Sequence, residues 1–141
     1  MIQEKYKKIT GFDGYKQVIS VINKAVNIGL NIKINVVLTE RTTMEDIQKF
    51  IDYMKDHKIC IRFIEQMPLG NKKTTIALTR NEIRKNLKDQ GIRFHKTEQR
   101  MGNGPAVYET MEGYKGMIGW IEALHGKFCD TCNRIRLTSI G

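Results

Sequence analysis

Apolar residues recur along the first half of the chain at two periods, and the switches between them mark the elements. From Asp13 to Ile28 they fall at Tyr15, Val18, Ile19, Ile22, Ala25 and Val26, the three-and-four spacing of one helical face, with Gly29 as the stop. IKINVVLT, residues 32 to 39, is β-branched and largely apolar, which predicts a strand buried on both faces. The spacing Thr42-x-x-Glu45 predicts a capping box, in which the threonine oxygen and the glutamate each satisfy an orphan backbone donor. The box opens a second helix with Met44, Ile47, Phe50, Ile51 and Met54 as its buried stripe. From Lys58 a second strand, CIRFIEQ, runs to Met67-Pro68.

Helix, strand, helix, strand with short connections predicts right-handed βα units, hence an α/β fold with a parallel sheet. Two such units leave a strand edge and a sheet face uncovered, so residues 1–70 read as the tail of a larger sheet or barrel. After Pro68 the pattern changes. A polar loop, GNKKTT, leads to a second capping box, Thr79-x-x-Glu82, and a short helix with Ile83 and Leu87 inward and Gly91 as its stop. Beyond Ile92 come short strand-like runs punctuated by Gly102, Gly104, Pro105, Gly113, Gly116, Gly119 and Gly126. They predict tight turns in a small β-rich extension over residues 71–141.

Charge changes this picture: 24 Lys and Arg against 15 Asp and Glu give a net charge of +9 and a pI near 9.6. That surplus suits a polyanionic partner, and equally a solvated lysine surface. No apolar run approaches the roughly 20 residues of a membrane-spanning helix. The N-terminus, MIQEKYKKIT, lacks the apolar core of a signal peptide, which leaves the cytoplasm as the expected compartment. Three cysteines form no disulfide framework. Cys60 sits alone in an apolar strand and reads as a small buried residue. His57, His95 and His125 share no spacing and receive no chemistry.

Cys129-x-x-Cys132 is the sharpest local signal. Two thiolates three residues apart can share a metal or cluster, form a redox disulfide, or make half of a zinc ribbon. A redox pair belongs at a helix N-terminus early in a βαβ unit, and this pair follows a glycine-rich stretch instead. Arg134 and Arg136 flank Ile135 at period two, so both guanidiniums project to one side. They suit either bidentate phosphate binding or an exposed edge strand.

FCDTCNRIRLT, residues 128–138, resembles the C-terminal cluster motif of the GTP 3′,8-cyclase family, radical S-adenosylmethionine enzymes of molybdenum cofactor biosynthesis. ITGFDGYKQVISVINKAVNIGLNIKINVVL, IRFIEQMPLG, MGNGPAVYE and GMIGWIEALHGKFC agree with the family in order, covering nearly the whole chain. The resemblance implies the C-terminal part of an incomplete radical S-adenosylmethionine barrel followed by the β-rich extension. It implies two [4Fe–4S] clusters and S-adenosylmethionine as cofactors. The family uses the first cluster to cleave S-adenosylmethionine, and the resulting radical closes the ribose of GTP onto C8 of guanine.

Carried onto this chain, the resemblance makes Cys129 and Cys132 ligands of the second cluster. Lys33, Arg134, Ile135 and Arg136 become GTP contacts, and Met67 part of the S-adenosylmethionine pocket. Cyclic pyranopterin monophosphate synthase would act next on the product. The resemblance argues against a nucleic-acid partner and leaves a homodimer open. No CxxxCxxC occurs, and none of the nine residues after Cys132 is a cysteine, so the resemblance implies a catalytically silent fragment. The segment 39–43, TERTT, also departs from the Gly/Asn-containing loop of the family. Two other readings stand beside this one. One is a basic zinc module on nucleic acid, with the CxxC pairs of two chains completing a site; the other is a different radical S-adenosylmethionine enzyme with a C-terminal cluster.

Overall fold

A computed structural model describes residues 2–67, 78–98 and 104–122. In chain order the elements are α1 (Ile2–Thr10), α2 (Tyr15–Asn27), β1 (Ile32–Leu38), α3 (Met44–Asp56), β2 (Ile59–Glu65), α4 (Arg80–Asp89), β3 (Phe94–Lys96), β4 (Val107–Met111) and β5 (Met117–Ile121). The five strands make one sheet in the order β1-β2-β5-β4-β3. β1, β2 and β5 run parallel, while β4 and β3 follow antiparallel. The fold is therefore mixed α/β. β5 pairs with β2 directly, so strands from both sides of residue 70 share this sheet.

The core lies on one face of the sheet. Ile59, Ile61 and Phe63 of β2 and Ile118 and Trp120 of β5 meet Ile47, Ile51 and Met54 of α3 and Ile83 and Leu87 of α4. Each of these side chains contributes about 1.5–3 kcal/mol on burial. The three from α3 outweigh any capping term of about 1 kcal/mol, so the apolar stripe is what holds α3 to the sheet. Val26 of α2 and Ile32, Ile34 and Val36 of β1 pack on the margin of this core, half-buried.

Three expectations are corrected. β1 is not buried on both faces: Ile32, Ile34 and Val36 turn inward, while Lys33, Asn35 and Val37 are exposed. Its outer edge has no strand partner among the described residues. The α3 capping box is Thr43 with Asp46, one residue later than expected, and Thr42 instead accepts a hydrogen bond from the Thr39 amide at 3.0 Å. Gly119 is no turn residue but the middle of β5. Residues 2–10, which carry no clean apolar stripe and no element predicted from the sequence, form α1; Lys5 ties it down through an ion pair with Asp46 and a 2.7 Å hydrogen bond to the Arg41 carbonyl.

The second box, Thr79 with Glu82, is as expected. So are the stops after α2 and α4, where Gly29 (φ 77°) and Gly91 (φ 86°) take the left-handed backbone that favours glycine. No helix among the described residues is long and apolar enough to cross a membrane.

Candidate functional site

Alternation along the strands sends every second side chain to the face turned away from the helices. On β1 these are Lys33, Asn35 and Val37; on β2, Cys60, Arg62 and Ile64; on β5, Met117, Gly119 and Ile121. Tyr108 of β4 lies opposite Gly119. The face is exposed at β1 and closed toward β4, since Lys33 and Asn35 are exposed, Arg62 is half-buried and Tyr108 is buried.

Arg62 lies opposite Asn35 in register and donates from Nε to the Asn35 Oδ1 at 2.8 Å. Lys33 stands opposite Cys60. Burial pushes the Cys60 thiol up to about 11, and the nearby cations Arg62 and Lys33 offset only part of that. Cys60 is therefore an inert, enclosed thiol, as the sequence indicates. The two cations, two residues apart in register on adjacent strands and so neighbours on this face, form a basic row suited to an oxyanion.

The helix side of the sheet holds a buried ion cluster that the sequence did not disclose. Glu109, 2% exposed, accepts a 2.7 Å hydrogen bond from the Trp120 indole at Oε2. Its Oε1 lies 3.0 Å from Arg84 Nη2 and 3.6 Å from Arg80 Nη2. Arg80 also holds Glu122 at 2.7 Å and stacks over Trp120, and Arg84 stacks over Phe94. This cluster pins α4 to β4 and β5.

Of the residues singled out from sequence, Lys33 falls on the basic row. Met67 lies two residues past β2 and is 52% exposed. Cys129, Cys132, Arg134, Ile135 and Arg136 lie outside the described residues. Among the described residues no group of three or more His, Cys, Asp or Glu is placed to hold a metal. Asn35 and Arg62 were missed, although the signal was present: Arg62 interrupts the apolar run Ile61-Arg62-Phe63 at the position that alternation sends to the open face.

The chain resembles several curated proteins named GTP 3′,8-cyclase. It is 37% identical to that of Lactiplantibacillus plantarum over 98% of this chain and 42% of the relative. Identity is 34% with that of Clostridium perfringens, over 99% and 43%, and 32% with that of Syntrophomonas wolfei, over 100% and 44%. The chain thus spans less than half the length of these relatives. Residues 59–141, which include β2, α4, the antiparallel strands and the Cys129-x-x-Cys132 motif, match the family described as Molybdenum Cofactor Synthesis C, and the chain belongs to that family.

Proposed function

We propose that this chain supplies the C-terminal part of a GTP 3′,8-cyclase, the enzyme that converts GTP to (8S)-3′,8-cyclo-7,8-dihydroguanosine 5′-triphosphate in molybdenum cofactor biosynthesis. The observation that carries the reading is the resemblance to proteins of that name over nearly the whole chain. In this reading residues 1–70 are the last βα units of the barrel and 71–141 the extension. Lys33, with Arg62 beside it, takes the triphosphate; Arg134, Ile135 and Arg136 contact GTP from the C-terminal motif, and Met67 borders S-adenosylmethionine.

The donor set Cys129 and Cys132 fits an iron–sulfur cluster, whose irons take thiolates. Bound there, the cluster supplies an iron able to accept a substrate atom. The chain's own residues contribute fixed cations that neutralise phosphate charge and orient the nucleotide before chemistry. Two cysteines leave the cluster short of protein ligands, and no CxxxCxxC is present, so the 141-residue chain by itself is catalytically silent.

Anaerobic purification tests this directly. The expected product is a brown protein with iron and sulfide that fade in Cys129→Ser and Cys132→Ser, and no cyclised nucleotide on incubation with GTP, S-adenosylmethionine and reductant. A colourless protein holding zinc would overturn the cluster assignment. Turnover by this chain alone would overturn its silence.

A further inference from the structure

Asn35, Arg62, Gly119 and Tyr108 form one continuous row across four strands, β1 to β4, because each is the register partner of the next. Glycine inside a strand costs order and leaves nothing to pack, so a glycine there marks a close approach. Here the approach is specific. A Cβ at residue 119 would lie 2.9 Å from Arg62 Cγ, and 3.0 and 3.2 Å from Tyr108 Cε1 and Cδ1. Arg62 Cγ is near the backbone, so swinging the far end of the side chain cannot relieve the contact. The whole side chain would have to change rotamer, withdrawing Nε from Asn35 Oδ1, now 2.8 Å away. Tyr108, 5% exposed, blocks retreat on the far side.

We propose that Gly119 and Asn35 are positioning residues for Arg62: the bare Cα gives the arginine stem its channel, and the amide oxygen fixes its Nε. With Nε committed to Asn35, the two Nη groups are presented as a preset fork for a phosphate oxygen. The proposal rests on reading the Lys33–Arg62 row as the triphosphate site. It predicts that changes at two residues carrying no charge will weaken anion binding through the same arginine.

The test pairs nitrogen-15 NMR of the arginine Nε–Hε signals, with the Arg62 signal identified by its loss in Arg62→Lys, with calorimetric titration of GTP into the full chain. Gly119→Ala and Asn35→Ala should each shift the Arg62 signal toward those of solvent-exposed arginines. Each should weaken GTP binding about fivefold, the loss of one positioned hydrogen bond. The double variant should be no weaker than either single one, because both act through Arg62. Gly119→Ala that stays folded by circular dichroism, with signal and affinity unchanged, would overturn the proposal; so would effects that multiply in the double variant. If Gly119→Ala fails to fold, Asn35→Ala, at an exposed position, decides: an unmoved Arg62 signal overturns the proposal. A native chain without measurable GTP affinity would overturn the triphosphate reading, while the Arg62 signal still decides whether Gly119 and Asn35 hold it.

Discussion

Glu109 shows how much a single side chain can demand of its surroundings. A carboxylate 2% exposed is tolerable only with its oxygens met, and the Trp120 indole and the Arg84 and Arg80 guanidiniums meet them. Replacing it with glutamine keeps the shape but leaves two largely buried cations without their counter-charge. Glu109→Gln should lower unfolding stability by about 3 kcal/mol. Glu122→Gln, which removes a more exposed partner of Arg80, should cost less than about 1 kcal/mol. Urea unfolding followed through Trp120, the chain's only tryptophan, separates the two; equal losses would mean that the cluster is not centred on Glu109. None of this was legible in VYETM, where Glu109 reads as an ordinary strand polar residue. Its partners come from another element, and a pairing set by tertiary packing leaves no local trace.

At the scale of the element, α3 shows how a pattern can be right and its register wrong. TERTTMED satisfies the capping-box spacing twice, as Thr42 to Glu45 and as Thr43 to Asp46. The second wins because Lys5 reaches across from α1 to pair with Asp46, a contact the linear sequence does not announce. Burial pushes the Asp46 carboxyl up, but the hydrogen bonds from Lys5 and Thr43 outweigh it and hold the group below the usual carboxylate value. A carboxyl held low when folded stabilises the protein above its unfolded-state value, near 3.8, and loses that contribution as pH falls through the folded value. Thr43→Ala should therefore cost about 1 kcal/mol near neutrality and flatten the acid limb of the stability profile below pH 4 or so. Thr42→Ala should leave that acid limb in place. Thermal melts across pH test both, and an unchanged acid limb in Thr43→Ala would refute the assignment. The apolar stripes of α3 and α4 were plain in the sequence because helical period and burial coincide there. β1 misled because an edge strand with Val36, Val37 and Leu38 in succession looks buried on both sides until its neighbours are known.

Across the whole molecule, the parallel pair β1–β2, its crossover helix α3 and the preceding α2 were legible, whereas the place of β5 was not. No local signal says that MIGWI should lie beside CIRFI rather than close a separate extension; the match emerges only when Ile118 and Trp120 share a core with Phe63. The resemblance of the C-terminal motif to a cyclase family was likewise readable, yet Arg62 and Gly119, which shape the open face, carry no motif of their own. The strand order has a consequence in time. Strands β3, β4 and β5 are neighbours in sequence and can zip together cheaply, but Cys60 must wait for Met117, 57 residues later, before β2 gains its second partner. Assembly should thus proceed as two independent pieces that meet along one late seam. In pulse-labelled hydrogen exchange during refolding, the β4–β5 amides should become protected before those joining β2 to β5; simultaneous protection would contradict this order. For a chain emerging from the ribosome, β2 keeps one edge open until β5 arrives, and that interval is when the nascent protein is most exposed to mispairing.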